Sequence, residues 1–297
     1  MRPICGLVGI GAIGSAIDSL LLQAGFDVIA FDIDPRRMEE HVAAGGLPGL
    51  SPRDVVERAP LCITSLATPG QFHAVMTGSE GISYAAAKGA IVADTSTLSL
   101  QDKLSARDSL SEAGITLLDC PVSGVAAKAR EKQLSIFASG DRDACDRIAP
   151  VLDVISREHD YVGPFGQGTK FKYIANLLVV INTCAAAEAM ALAIKSGLDP
   201  ALVHKLIGAG AGGSNMWDVR GRHMVRGDYP SPSNAFTIAS KDGVLISKFA
   251  TDLEFPAPLF QAALQPYFQA IARGMDNRDT ASLCELFLEN AGASRNA

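Results

Sequence analysis

Residues 3–32 constrain the fold more than any other stretch. The apolar run PICGLVG (3–9) leads directly into Gly9-Ile-Gly11-Ala12-Ile13-Gly14, then Ser15–Ala24 reads as a helix ending at Gly25, and DVIAFD (27–32) as a second strand. In a strand–turn–helix–strand unit the first glycine permits the tight turn and the second lets backbone approach a pyrophosphate. The third lets helix pack on strand, and the helix N-terminus offers N–H groups to phosphate oxygens. The reading is a dinucleotide site on Gly9, Gly11, Ala12, Ile13 and Gly14. Asp32, 18 residues after Gly14, is placed to accept bonds from both hydroxyls of an adenosine ribose. Its charge repels a 2′-phosphate, so NAD is expected over NADP, although Arg36 and Arg37 lie close by.

The alternation continues. Apolar segments Leu61–Leu66, Ala90–Ala93, Ile115–Leu118, Leu134–Ala138 and His159–Val162 are separated by helical stretches near 36–44, 53–59, 70–77, 99–112 and 141–155. This predicts an α/β fold, a Rossmann-type doubly wound, mostly parallel sheet whose ligand crevice lies at the carboxyl ends of its strands. The residues just past those ends are Ser65-Leu66-Ala67-Thr68, Asp94-Thr95-Ser96-Thr97 and Asp119-Cys120-Pro121-Val122-Ser123-Gly124. Ser96 and Thr97 read equally as a helix cap or as ligand contacts. Ser123-Gly124 reads as a turn or, better, as a hydroxyl and an N–H that hold a carboxylate.

After Gly163-Pro-Phe-Gly-Gln-Gly168 the texture changes. From Thr169 to Lys195 there is no Pro or Gly, and the spacing predicts one helix of about seven turns. Helices near 199–208, 214–226, 234–250, 256–272 and 279–289 follow, and no internal repeat is evident. The expected domains are therefore 1–165, binding the dinucleotide, and 166–297, an all-helical substrate and oligomerisation domain joined by a long interdomain helix, with a site between them. Lys172 and Asn176 share one face of that helix at i, i+4. They are either two solvated residues or a proton-exchanging ammonium and its neighbouring amide.

Composition narrows the function classes. The chain has 297 residues, 48% hydrophobic and 20% charged, with a net charge of −6 and no basic cluster, so nucleic acid is not an expected partner. Six scattered cysteines without CxxC spacing read as reduced thiols of a cytoplasmic protein, not as disulfides or a zinc site. No signal peptide is expected. The apolar run 174–194 is long enough to span a bilayer, but Asn176, Asn182 and Glu188 recur through it, so a buried helix is expected and not a membrane partner. The histidines at 41, 73, 159, 204 and 223 follow no strand end, and only His223 merits attention as a proton carrier. Trp217 reads as core or pocket wall, with Asn215–Arg220 a candidate lining of the substrate end.

Five ordered motifs carry a resemblance over nearly the whole chain: GLVGIGAIGSAI at 6–17, DTST at 94–97, DCPVSG at 119–124, GQGTKFKYIAN at 166–176 and KD at 241–242. Together they resemble the β-hydroxyacid dehydrogenase family, which includes 3-hydroxyisobutyrate dehydrogenase and tartronate semialdehyde reductase. The stretches 124–140 and 220–229 look most like its sugar-acid branch, typified by L-threonate dehydrogenase. The resemblance implies Lys172 as acid/base, Asn176 as its substrate-binding companion, Ser123 and Gly124 on the substrate carboxylate, and Ser96 beside the nicotinamide. It also implies Lys241 over cofactor and substrate, with Leu66 and Ala67 along the cofactor.

The chain departs from the family pattern at Val125, where a second glycine is usual, at Ala67, where proline is usual, and at Gly243, where leucine is usual. The expected reaction is NAD-dependent oxidation of a small 3-hydroxy or 2-hydroxy acid such as threonate, in a homodimer or homotetramer. Reduction of tartronate semialdehyde or a related aldehyde acid is the alternative. Lys172 argues against an imine reductase, and the shortage of basic residues against a decarboxylating enzyme of the phosphogluconate type. The intact Lys172, Asn176 and Ser123 argue against a non-catalytic NADH sensor.

Overall fold

A computed structural model describes residues 2–124, 126–230 and 235–295. Val125 and position 234, where a helix start was expected, lie outside the described residues. The chain divides into two compact units, one up to Lys172 and one from Tyr173 onward.

The first unit is built on β1 (Ile4–Val8), β2 (Asp27–Phe31), β3 (Leu47–Pro48), β4 (Leu61–Thr64), β5 (Ile91–Asp94), β6 (Thr116–Asp119), β7 (Val122–Ser123), β8 (Ser135–Ser139) and β9 (Glu158–Gly163). They lie in one sheet in the order β3-β2-β1-β4-β5-β6-β8-β7, with β9 on β8. The run from β3 to β6 is parallel throughout, and β8 pairs antiparallel with β6 and β7. The order reverses direction between β1 and β4, and ligands enter open α/β sheets at such a point.

Alternation along the strands sorts the core into two layers. Leu7, Ile63, Ile91 and Ala93 pack in one cluster with Ile17 and Leu21 of α1 (Gly14–Gln23) and Ile148 and Leu152 of α7 (Arg142–Ile155). Val8, Cys62 and Val92 turn the other way, against Val55 of α3 (Pro52–Arg58), Phe72 of α4 (Pro69–Thr77) and Leu110 of α5 (Leu100–Glu112). Strands buried on both faces, with helices covering each, are what near-continuous apolar runs such as CGLV require. The short β3 and β7 and the helix α6 (Ala126–Ala129) are additions to the expected element list; α2 (Pro35–Ala43) is not.

The second unit is helical: α8 (Gln167–Lys195), whose residues up to Lys172 belong to the first unit, α9 (Pro200–Gly208), α10 (Asn215–Arg226), α11 (Ala235–Asp252), α12 (Pro258–Ala272) and α13 (Leu283–Asn290). By length and composition α8 alone among the described residues is apolar enough to cross a membrane. Its Tyr173, Val180, Cys184, Ala187 and Met190 are buried in a cluster with Trp217, Phe236, Phe260 and Tyr267, while Ile174, Leu178 and Leu192 are exposed, so the helix is buried on one face and not all round as expected. The division of the chain falls inside α8, seven residues beyond the expected 165/166 boundary, because the first turn of α8 is bonded to the sheet.

Candidate active site

The glycine turn is shaped by two close approaches. Gly9 has φ +91°, and a side chain there would run into the Ser65 carbonyl; one at Gly14 would run into the carbonyl of Gly9. Gly11 differs, for a Cβ there meets only the Arg37 guanidinium, at 3.9 Å, so its face is open to a ligand. Asp34, Ser51, Thr68, Ser99 and Asp141 cap α2, α3, α4, α5 and α7 by accepting from backbone N–H groups. At the start of α1 stands Ile13, with no side-chain cap. That pattern suits a phosphate acting as the missing cap. Ala12 is exposed and Ile13 half-buried at the same turn.

Asp32, with its side chain 5% exposed, accepts from the Ile10 N–H at 2.6 Å and from the Asp34 N–H at 2.9 Å. It therefore braces the glycine turn besides offering a carboxylate. Arg37 reaches Asp32 at 3.3 Å, and Arg36 bonds Asp34, whose pKa its guanidinium lowers. A groove of about 660 Å³ beginning at Asp32 is lined by Ile33, Pro35, Met38 and Val42, an apolar wall suited to an adenine ring.

The strand ends are cross-braced. Ser96 is buried; its hydroxyl donates to Asp94 at 2.6 Å and accepts from the Leu66 N–H at 2.9 Å. It is not the cap of α5, a role taken by Ser99. The Ala67 N–H donates to Gln71, within the capping box of α4. Ser123 is half-buried at the end of β7, and Gly124, exposed with φ +139°, follows it before α6. Val125, the departure beside them, lies outside the described residues.

Beneath these ends lies a charged network. Lys103 of α5, with no exposed side-chain surface, meets Asp94 at 2.9 Å and Asp119 at 2.7 Å. Burial alone pushes its pKa down, but the two carboxylates outweigh that and hold it above the ordinary value. Asp119 in turn accepts from the Thr169 N–H at 2.7 Å and the Thr169 hydroxyl at 2.8 Å. The Gly168 N–H donates to Ser139 at 3.0 Å. The start of α8 is thus fixed on the end of β6, and Lys172, half-buried, follows Thr169 by three residues.

In the second unit the Asn176 amide donates to Asp242 at 2.7 Å, and Lys241 pairs with the other oxygen of Asp242 at 3.4 Å. Trp217 is core, stacked on His204 and donating to its carbonyl, while Arg220 is bonded to Thr183 and Thr280. Neither Trp217 nor Arg220 is set out as an open lining. His223 accepts from Arg226 or donates to the Asp228 carbonyl at the end of α10. The residues that reasoning from sequence missed are Lys103, Asp119 as anchor of α8, and Asp242 beneath Asn176. All six cysteines are unpaired and buried; burial raises Cys5 to about 12 and Cys145 and Cys184 to about 11. Among the described residues no group of His, Cys, Asp or Glu is arranged to hold a metal ion.

This fold and site define an NAD(P)-dependent dehydrogenase acting on a CH–OH donor of the 3-hydroxyacid type. Residues 4–163 match the NAD-binding domain of 6-phosphogluconate dehydrogenase, and residues 166–287 match the domain described as NAD-binding of NADP-dependent 3-hydroxyisobutyrate dehydrogenase. The chain belongs to the 3-hydroxyisobutyrate dehydrogenase-like family of β-hydroxyacid dehydrogenases. It is 34% identical to an L-threonate dehydrogenase of Cupriavidus necator over 95% of both chains. To the mitochondrial 3-hydroxyisobutyrate dehydrogenase of Mus musculus it is 29% identical, over 96% of this chain and 87% of that one. The crystal structure of a 3-hydroxyisobutyrate dehydrogenase from Salmonella typhimurium superposes with a TM-score of 0.86 at 30% identity, covering 96% of this chain and all of that one.

Proposed function

We propose that the chain oxidises a small 3-hydroxy or 2-hydroxy acid, with a four-carbon sugar acid such as threonate as the leading candidate, and that Lys172 is the acid/base. The observation that carries this reading is the anchorage of α8. Asp119 ends the strand that leads to Ser123-Gly124, and the same carboxylate holds Thr169, three residues before Lys172. A proton carrier and a carboxylate-holding pair thereby leave one fixed point on the sheet.

Gly9, Gly11, Ala12, Ile13 and Gly14 would hold the pyrophosphate and Asp32 the ribose, with Leu66, Ala67 and Ser96 along the nicotinamide half. When bound, the cofactor supplies the hydride acceptor. Ser123 and the backbone at Gly124 bind the substrate carboxylate and so orient its carbinol carbon. Lys172 takes the proton from the substrate hydroxyl oxygen, and in reduction returns it to the carbonyl oxygen. Because Asp242 accepts from the Asn176 amide N–H, the amide oxygen of Asn176 faces elsewhere, suited to receive a bond from the substrate hydroxyl or the ammonium. Lys241, held on Asp242, is assigned to cofactor and substrate.

NAD is proposed over NADP. The Asp32 carboxylate directly follows β2, and both nearby arginines are already paired with Asp32 or Asp34 rather than set around an open phosphate site. The threonate assignment is supported by the names of the sugar-acid relatives. Reduction of an aldehyde acid such as tartronate semialdehyde uses the same residues in the opposite direction. A cytoplasmic homodimer or homotetramer is proposed, supported by buried reduced thiols and by Leu198, Leu202 and Leu206, exposed at 57%, 52% and 61% in a row on and beside α9.

The test is a panel of hydroxyacids (threonate, glycerate, serine, 3-hydroxyisobutyrate) assayed by NADH or NADPH formation. Threonate with NAD should give the highest kcat/KM. No turnover of any member with either cofactor would overturn the reading in favour of a non-catalytic binding protein.

A further inference from the structure

We propose that Lys103 is a positioning residue for this reaction: through Asp119 it sets the first turn of α8, and with it Lys172, against the strand ends that carry Ser96 and Ser123-Gly124. The inference rests on the reading of Lys172 as proton carrier and extends it to a side chain that touches neither substrate nor cofactor.

Lys103 joins the two carboxylates that end neighbouring strands, Asp94 on β5 and Asp119 on β6. Each carboxylate then passes its position to a site segment. Asp94 accepts from the hydroxyls of Thr64 at 2.8 Å and Ser96 at 2.6 Å. Asp119 accepts both donors of Thr169, at 2.7 and 2.8 Å. From these fixed points the site residues are few bonds away: Ser96 is two residues after Asp94, Ser123 four after Asp119, and Lys172 three after Thr169. One ammonium is thus the hub of three segments distant in sequence.

Stability is a poor explanation for such a hub. Desolvating an ammonium and two carboxylates largely cancels their attraction, and buried ion pairs are commonly replaceable by apolar groups at little cost. The more specific consequence concerns the position of Asp119. Thr169 presents two donors, an N–H and an O–H, one to each oxygen of Asp119. Two carboxylates that share a buried site without a cation between them repel each other. A displaced Asp119 cannot hold both donors of Thr169. Lys103 holds Asp119 beside Asp94, and the start of α8 follows.

The experiment compares Lys103→Met, Thr169→Val, Lys172→Ala and the charge-balanced pair Asp94→Asn/Lys103→Met, which retains the single net negative charge of the wild-type network. Each is measured for kcat and KM with the best hydroxyacid, for NADH affinity by fluorescence titration, and for amide hydrogen exchange over residues 167–172. Lys103→Met and Thr169→Val should lower kcat at least tenfold, leave KM and NADH affinity within threefold, and speed exchange in that segment. The balanced pair should recover a substantial part of the lost kcat. Wild-type kcat in both single variants alongside an inactive Lys172→Ala would overturn the proposal. So would a Lys103→Met protein that loses NADH affinity and kcat in equal measure while Thr169→Val stays at wild-type kcat. If Lys103→Met does not fold, Thr169→Val decides alone, since it removes one hydroxyl at constant shape. Normal turnover in Lys172→Ala would instead remove the underlying reading, a separate failure.

Discussion

His41 donates from both ring nitrogens when it is an imidazolium, and its surroundings ask for that form: Nδ1 lies 2.9 Å from Asp18, and Nε2 3.2 Å from the Leu47 carbonyl. Burial pushes its pKa down, yet the bond to Asp18 and the charge of that carboxylate more than offset this, leaving it above the ordinary 6.5. A raised folded-state pKa means that the folded protein binds the proton more tightly than the unfolded chain. The contribution to stability is therefore complete below pH 6.5 and fades as pH rises through the folded-state value. His41→Gln leaves Asp18 buried without its cation, a change worth about 3 kcal/mol in comparable pairs. Thermal unfolding should show a larger loss of stability for His41→Gln at pH 6 than at pH 9; an equal loss at both would mean that His41 carries no charge in the folded protein. From sequence, Asp18 reads only as an interruption in an apolar run and His41 as one of five scattered histidines. Their partnership spans 23 residues, and nothing local signals it. The glycines and Asp32 were legible for the opposite reason, since a tight turn and a strand end constrain residue type within a few positions.

At the scale of an element, α8 shows how much of a helix can be read locally and how much cannot. Its extent was legible because alanine and leucine favour helix and glycines bracket the run. Its anchor was not, because the carboxylate that receives the Thr169 N–H lies 50 residues earlier. Lys103 was hidden in the same way: a lysine in a helix with three Ser and two Asp reads as solvated, and only the ends of β5 and β6 reveal it as buried. Gly168 belongs to this anchor. A Cβ there would run into the Phe137 carbonyl and come within 2.7 Å of the Asp119 carbonyl, both backbone atoms that do not yield cheaply. Gly168→Ala should therefore cost about 1–3 kcal/mol of stability by overpacking. It should also lower kcat more than it weakens NADH binding, because the glycine turn at 9–14 is untouched. A variant with unchanged melting temperature and unchanged kcat would show that the start of α8 tolerates displacement.

For the whole molecule, the alternating strands and helices were enough to predict a doubly wound, mostly parallel sheet, because apolar runs buried on both faces demand helices on each side; the strand order comes from the structure. The short antiparallel β7 was not legible, since two residues carry no period and its partner β8 lies beyond α6 in the chain. Family membership adds the chemistry, a dehydrogenase acting on a CH–OH donor, and leaves the particular hydroxyacid to the substrate panel. The proposed chemistry turns on one proton transfer at residue 172. Its most direct test is steady-state oxidation of the best hydroxyacid by Lys172→Ala, paired with an NADH titration of the same protein. Removal of a general acid/base predicts a fall in kcat of about 10²–10⁴-fold with NADH affinity retained. Turnover within threefold of wild type would contradict it.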